Sequence, residues 1–457
     1  MLVFASDLHL TDGSSGKTIE AGAFRILRKQ LGNLAYAASY RTDGGYRPVE
    51  QVHLVLLGDV LDVIRSSQWL AAGTFIRPWS DVKDPAFAER VGAITDAIVA
   101  HNAESLGVLK SISSGRVRIP RKAGAHRTLD ATEEAEIADW VPVKVNTYYM
   151  VGNHDWFYHL PGTAANRVRE KLVGAMGLAN DPNSPFPHDL DEAPALARVC
   201  RDHAVCARHG DRFDPFNCEP DRDGSSLGDV IVVTLLNRFP DDAAQRLGGE
   251  LPQACLDGLR DIDNVRPVLM IPVWVDGLLK RTCSDPGQIQ KVKNVWDELA
   301  DDFLAEPFVR DRDLPWNPFD NVDKLALALK FSKGVSISGL GQLATWLQGK
   351  LGGAAESYGE HALAERPFKK RTARFVVYGH THRHEIVPLE FSYQAHVPLS
   401  QFYINTGTWR RVYEVTKGRP GAQEFLGYNV MTYATFFQGD ERRGRPFEVW
   451  SGALAAE

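Results

Sequence analysis

Five short segments of the chain set acidic, amide and imidazole side chains at close spacing: Asp7-Leu8-His9, Gly58-Asp59-Val60-Leu61-Asp62, Gly152-Asn153-His154-Asp155, His209-Gly210-Asp211 and Gly379-His380-Thr381-His382. In the first and last, two such groups stand at i and i+2, so on extended chain they project from the same face. Converging carboxylates and imidazoles are the side chains that bind cations and move protons. Taken singly each segment is weak. A lone Asp-x-His arises often by chance, and a lone His at a strand end is more often a hydrogen-bonded structural residue than a ligand. Five in order form a pattern that a fold must explain.

Each segment follows a short apolar run, at 2–5, 52–57, 145–151, 204–207 and 375–378. Runs of this length, rich in Val, Leu and Tyr and ended by Gly, Asp, Asn or His, predict buried strands. Between them, helical periodicity covers 18–39, 85–111, 163–176 and 191–201, and strands alternating with helices predict an α/β layered core. Further strands are expected at 402–405, 411–415 and 428–437, in a meander. Ligands of open α/β sheets gather beyond the carboxyl ends of strands, which is where all five segments fall.

Two regions break the rhythm. Residues 116–139 run from basic to acidic and predict a surface loop leading into a helix. Residues 216–368 are mostly helical, with patterns at 227–239, 288–304, 322–331 and 339–351, and predict a helical insertion or cap. Pro215, Pro220 and Gly224 before it, and Gly352, Gly353 and Pro367 after it, mark the joints. The chain thus divides into a first core part (1–215), an insertion (216–368) and a second core part (369–457).

Composition narrows the function. Of 457 residues, 52 are basic and 58 acidic, a formal charge of −6. This argues against a generic nucleic-acid coat or a polybasic membrane binder. Five cysteines without a C-x-x-C pair form neither a disulfide framework nor a zinc-finger pattern, so reduced thiols in the cytoplasm are expected. Met1 leads directly into a strand-like run without a signal peptide. The apolar stretch at 265–279 is interrupted by Arg266, Pro267, Pro272 and Asp276, so no transmembrane segment is expected.

The ordered set D-x-H, G-D-x-x-D, G-N-H-D, H and G-H-x-H resembles the signature of the calcineurin-like metallophosphoesterases, over roughly residues 1–215 and 370–440. The Asp-Leu-His-Leu and His-Gly-Asp forms look most like the branch containing UDP-2,3-diacylglucosamine hydrolases, although His154 stands where that branch often has Arg. The resemblance implies a four-layer α/β/β/α sandwich of two mixed sheets flanked by helices. It also implies two divalent metal ions, manganese first, with iron, zinc or magnesium as alternatives. Asp7, His9 and His382 would hold one, Asn153, His209 and His380 the other, and Asp59 would bridge them. Mixed Asp, Asn and His donors suit such ions and exclude a closed thiolate site. His154, oriented by Asp62, would assist the leaving group while a metal-activated hydroxide attacks.

The implied activity is hydrolysis of a phosphomonoester, phosphodiester or pyrophosphate bond in a phosphorylated small-molecule, nucleotide or lipid-linked substrate. A nuclease of the same superfamily would want a broad basic groove, and no stable nucleic-acid complex is expected. A non-catalytic scaffold would usually lack a ligand or the catalytic histidine, and this sequence keeps all of them. Oligomeric state is not set by the sequence. Asp155 and Asp211 are expected to brace turns, and His53, His101, His126 and His361 to be structural. His384 is a weak candidate for the rim of the site. Trp156, Phe157 and Tyr158 are expected in the core, and the basic cluster from Arg366 to Arg374 on a solvated flank.

Overall fold

A computed structural model describes residues 1–73, 75–124, 139–266, 270–313, 320–332, 358–394, 396–416 and 424–455. The strands, in chain order, are β1 (Leu2–Ala5), β2 (Gln51–Leu57), β3 (Arg118–Pro120), β4 (Trp140–Pro142), β5 (Lys144–Met150), β6 (Val205–Ala207), β7 (Val265–Arg266), β8 (Phe375–Tyr378), β9 (His384–Gln394), β10 (Val397–Thr406), β11 (Arg410–Val415), β12 (Phe425–Phe436) and β13 (Phe447–Ala455). The fold is mixed α/β. One sheet runs β5-β2-β1-β12-β11-β7 with β13 on β12, a second runs β6-β8-β10-β9, and β3 pairs with β4. Strands β5, β2 and β1 are mutually parallel, as are β6, β8 and β10. Strand β12 meets β1 antiparallel, and β9 meets β10 antiparallel.

Period-2 alternation assigns each strand side chain to a face. Leu2 and Phe4 of β1 join Val55 and Leu57 of β2 and Phe375 and Val377 of β8 in one apolar cluster, which joins the two sheets. Val3, Ala5, Leu54 and Leu56 turn the other way. They pack with Phe24, Leu27 and Leu31 of α1 (Ala21–Ala38), Ile94 of α2 (Pro85–His101), Leu106 of α3 (Ala103–Ser111) and Leu172 of α4 (Thr163–Met176). On the outer side of the second sheet, Val376, Tyr378 and Tyr403 pack against Ala362 and Phe368.

The five strands that carry the motifs lie where the sequence puts them, within one residue. Helix α4 matches, and α5 (Pro194–Asp202) begins three residues late, at a proline suited to a first helical turn. The 85–111 pattern is two helices, not one. Asn102 stands between them at φ −105° and ψ 22°, its side-chain amide donating to the carbonyls of Ile98 and Thr11. The helix expected within 116–139 falls on residues outside those described, and β3 follows Val117 directly. The helix expected at 339–351 is likewise outside the described residues.

Among its described residues the inserted segment is largely helical, the longest helix there being Pro286–Ala305. It is also woven into the rest of the molecule. Val265 and Arg266 pair in parallel with Tyr413 and Glu414 of β11, adding a strand to the first sheet. Val233, Phe239, Trp274 and Leu299 belong to the same continuous apolar cluster as Val3 and Phe24. Among the described residues, no helix is long and apolar enough to cross a membrane.

Candidate metal centre

The parallel order of β1, β2 and β5 places the turns after them side by side. Asp7 N–H donates to the Gly58 carbonyl, and His9 N–H to that of Asp59. In the second sheet the neighbours β6 and β8 do the same for the other two motifs, with Gly379 N–H donating to the His209 carbonyl. A hydrogen bond from His380 N–H to Asp7 Oδ2 at 3.0 Å ties the two groups of turns together.

All seven expected ligand residues meet there. His9 Nε2 lies 3.8 Å from Asp7 Oδ1 and 3.6 Å from Asp59 Oδ2. His382 Nε2 lies 3.4 Å from Asp7 Oδ1 and 2.9 Å from His9 Nε2. His209 Nε2 is 3.2 Å from Asp59 Oδ2, and His380 Nδ1 is 3.0 Å from Asn153 Oδ1. Two triads, Asp7–His9–His382 and Asp59–His209–His380, hold donor atoms close enough to share one ion each, and so does the overlapping set His9–Asp59–His154. These buried His/Asp clusters can bind a metal ion.

Three observations fit the residues to that role. First, His209 donates from Nδ1 to the Leu57 carbonyl at 2.8 Å, while its buried Nε2 has no hydrogen-bond partner and faces the carboxylates. A backbone acceptor on one ring nitrogen fixes the tautomer that presents the other as a lone pair. His9 is held the same way, with Nδ1 2.8 Å from Asp62 Oδ2. Second, Asp7, His9, Asp59, His380 and His382 all adopt left-handed backbone, with φ between 46° and 68°. That region is unfavourable for residues with a Cβ, and it clusters where surrounding structure enforces a functional geometry. Third, the backbone leaves no room for more atoms. A Cβ on Gly152 would collide with Asp59 Oδ1 and the His209 ring, and one on Gly58 with the same ring.

The electrostatics follow from burial and mutual charge. Burial pushes the Asp7 and Asp59 carboxyls up, but the surrounding imidazoles, His209 first, with His382 and His9 at Asp7 and His154 and His9 at Asp59, together outweigh it and hold both below the usual range. Burial alone would lower the His154 pKa. Asp62, whose Oδ1 lies 2.7 Å from His154 Nδ1, and then Asp59 outweigh that and raise it to about 10. The main-chain N–H of His154 donates to Asp59 Oδ1 at 2.9 Å. Asp62 therefore serves two imidazoles, one on each oxygen.

The bracing residues are where the sequence reading puts them. Asp155 accepts from Gly152 N–H, Val60 N–H and the Tyr149 hydroxyl, locking the Asn153 turn to the Asp59 turn. Burial and the nearby Asp59 charge raise its pKa to about 6. Asp211 pairs with Arg222 at 2.9 Å. Trp156, Phe157 and Tyr158 are buried in the core. His53 stacks on Tyr148 and His361 on Phe213, and His101 ends α2. His126 lies outside the described residues. His384 opens β9, and its half-buried ring adds nothing to the cluster. Arg371 pairs with Glu390, and Arg374 donates to the Ser400 carbonyl, so the basic run lines a strand flank.

The structure adds residues that motif reading missed. Asp214 Oδ2 takes His380 Nε2 at 3.1 Å, leaving Nδ1 toward the centre. Asn217 accepts from Asn153 Nδ2 at 3.3 Å. Arg266, from the inserted segment, donates to His382 Nδ1 at 2.6 Å. Behind it, Asp263 pairs with Arg410 at 2.9 Å and lies 3.7 Å from Arg65. The legible signal for Arg266 was a lone arginine inside an apolar run; Asp214 and Asn217 carried none.

No protein-family model matches the chain, and no curated protein matches its sequence.

Proposed function

We propose that this chain hydrolyses phosphoester or phosphoanhydride bonds with two divalent cations, in the manner of the calcineurin-like metallophosphoesterases. The observation that carries the reading is the gathering of seven donor residues from five strand ends on two sheets. Asp7, His9 and His382 would hold one cation, Asn153, His209 and His380 the other, and Asp59 would bridge them. The donor set favours manganese, with iron, zinc and magnesium also compatible. Bound there, the cations polarise a phosphoryl oxygen and lower the pKa of a water nucleophile. The three apolar clusters described above are read as the seams of a four-layer α/β/β/α sandwich. Five unpaired cysteines fit a reducing compartment such as the cytoplasm.

The chain's own groups do the rest. His154, held by Asp62 and protonated near neutral pH, donates a proton to the departing oxygen. Asp62 fixes the orientation of that donor and of His9 together. Arg266 has a second duty. When His382 ligates through Nε2, its Nδ1 carries a proton, and the guanidinium can no longer donate to it. Arg266 Nη2 is then available to a phosphate oxygen, while Nη1 stays anchored on the carbonyls of Asp263 and Val265.

The test is release of nitrophenol from p-nitrophenyl phosphate and bis(p-nitrophenyl) phosphate with added Mn²⁺. Turnover is expected for the wild type and not for Asp59→Asn. An Asp59→Asn protein with wild-type rates rules out the bridging role. A panel of monoesters, diesters, nucleotide sugars and single-stranded DNA then ranks substrate classes.

A further inference from the structure

Beside the Asn153 loop, where His188 and Asn153 line one cavity, stands a second group of titratable side chains that this chemistry does not use. His159 ends the helical turn Trp156–His159, directly after the Asn153 loop. His188 lies just before the turn Leu190–Glu192, and Asp223 belongs to the inserted segment. His159 Nδ1 is 2.6 Å from Asp223 Oδ1, and His188 Nε2 is 3.8 Å from the same oxygen. The two imidazole centroids are 4.5 Å apart.

The decisive feature is His188. It is only 3% exposed, and neither of its ring nitrogens has a hydrogen-bond partner. Buried polar atoms are almost always satisfied, so an imidazole idle at both nitrogens and aimed at a carboxylate implies a missing ligand. The donor atoms of His159, His188 and Asp223 all lie within 4.8 Å of one another. Ligands at the usual zinc distances in a tetrahedron are about 3.3 Å apart, between the two separations found here. The outer arrangement fits as well. With Nδ1 of His159 on the ion, its Nε2 faces Glu192 Oε2 at 3.5 Å. A carboxylate behind a ligating histidine fixes the ring orientation and raises its basicity.

We propose that His159, His188 and Asp223 form a separate zinc site, with water in the fourth position and Glu192 orienting His159. The ion staples the inserted segment to the end of the Asn153 loop. It displaces the proton that His159 shares with Asp223, so binding releases one proton and weakens at acid pH.

The test uses the full chain, stripped with a chelator and dialysed against zinc chloride, with bound zinc counted by mass spectrometry. His188→Gln and Asp223→Asn are each expected to hold one zinc per chain fewer than the wild type. Asp59→Asn is expected to keep this zinc whatever it loses at the other cluster. Equal zinc content in the wild type and both variants overturns the proposal. Should the variants fail to fold, wild-type crystals soaked in zinc chloride decide. An anomalous peak beside His188 Nε2 upholds the site, and peaks confined to the Asp7–Asp59 cluster refute it. Because the readout is metal content, failure here leaves the phosphoesterase reading standing, and loss of that reading leaves this one.

Discussion

Single side chains in this molecule act through what holds their second polar atom. Asp62 is the clearest case, with one oxygen on His9 and the other on His154. Asp62→Asn keeps the shape but loses the charge that keeps His154 protonated. Turnover is expected to fall about 10²- to 10⁴-fold, the usual worth of general acid catalysis, with bound metal falling less. His154→Ala should cut turnover by a similar factor while metal content, measured on the same sample, stays at the wild-type value. If His154→Ala turns over at the wild-type rate, the proton-donor assignment falls. The donors were legible because they sit in i, i+2 pairs and after strand-ending glycines. Their supports were not: the Leu57 carbonyl behind His209 and the Asp214 carboxylate behind His380 leave no trace in spacing. Arg266 was visible only as an interruption.

At the scale of elements, the turns matter more than the strands. Gly152 has no room for a side chain, since its Cβ would strike Asp59 and His209. Gly152→Ala should therefore displace the Asp59 carboxylate while leaving the strands in place. The expected outcome is about 10²-fold lower activity, the cost of a misplacement near 1 Å, with an unchanged far-ultraviolet circular dichroism spectrum. The strands feeding these turns were readable because each is a short apolar run with a clean stop. Strand β9 was not. Pro388 interrupts its pattern at the register shift opposite Gln401 and Phe402, on the edge of its sheet, where proline is tolerated. The break at Asn102 was hidden for another reason: helical periodicity continues across it, while its amide is drawn to the Thr11 carbonyl.

For the whole molecule, periodicity foretold the helical stretches near 227–239, 288–304 and 322–331, but not the helices Gln253–Leu259 and Ile271–Thr282, nor how the segment is incorporated. Strand β7 and residues such as Trp274 and Leu299 share the main apolar cluster. Deleting 216–368 should expose that surface and yield aggregated protein by gel filtration, where a detachable cap would leave a folded monomer. Stability should also depend on pH through two imidazoles at the other side of the structure. Burial lowers His53 and His203 to about 4. With unfolded values near 6.5, each imidazole binds its proton in the unfolded chain between pH 4 and 6.5, so their contribution is full above 6.5 and declines as pH falls, opposed below pH 6 by the raised carboxyls of Asp155 and Asp229. Each site that remains neutral in the folded state contributes a slope of up to about 1.4 kcal/mol per pH unit. His203→Gln should remove one imidazole's share of that decline, measured as urea midpoints of variant and wild type between pH 4.5 and 7.

Asp7 and His382 meet although 375 positions of sequence part them, and β1 lies between β2 and β12, with Leu2 opposite Phe436. A nascent chain leaving the ribosome therefore carries its first donors long before their partners exist. Strand β1 must wait, one edge bare, until Phe436 has been translated. Pairing across so long a span carries a large loop-closure cost and is expected to slow folding. A cation shared by Asp7 and His382, as the proposed function requires, could enter only after both ends of this span have met.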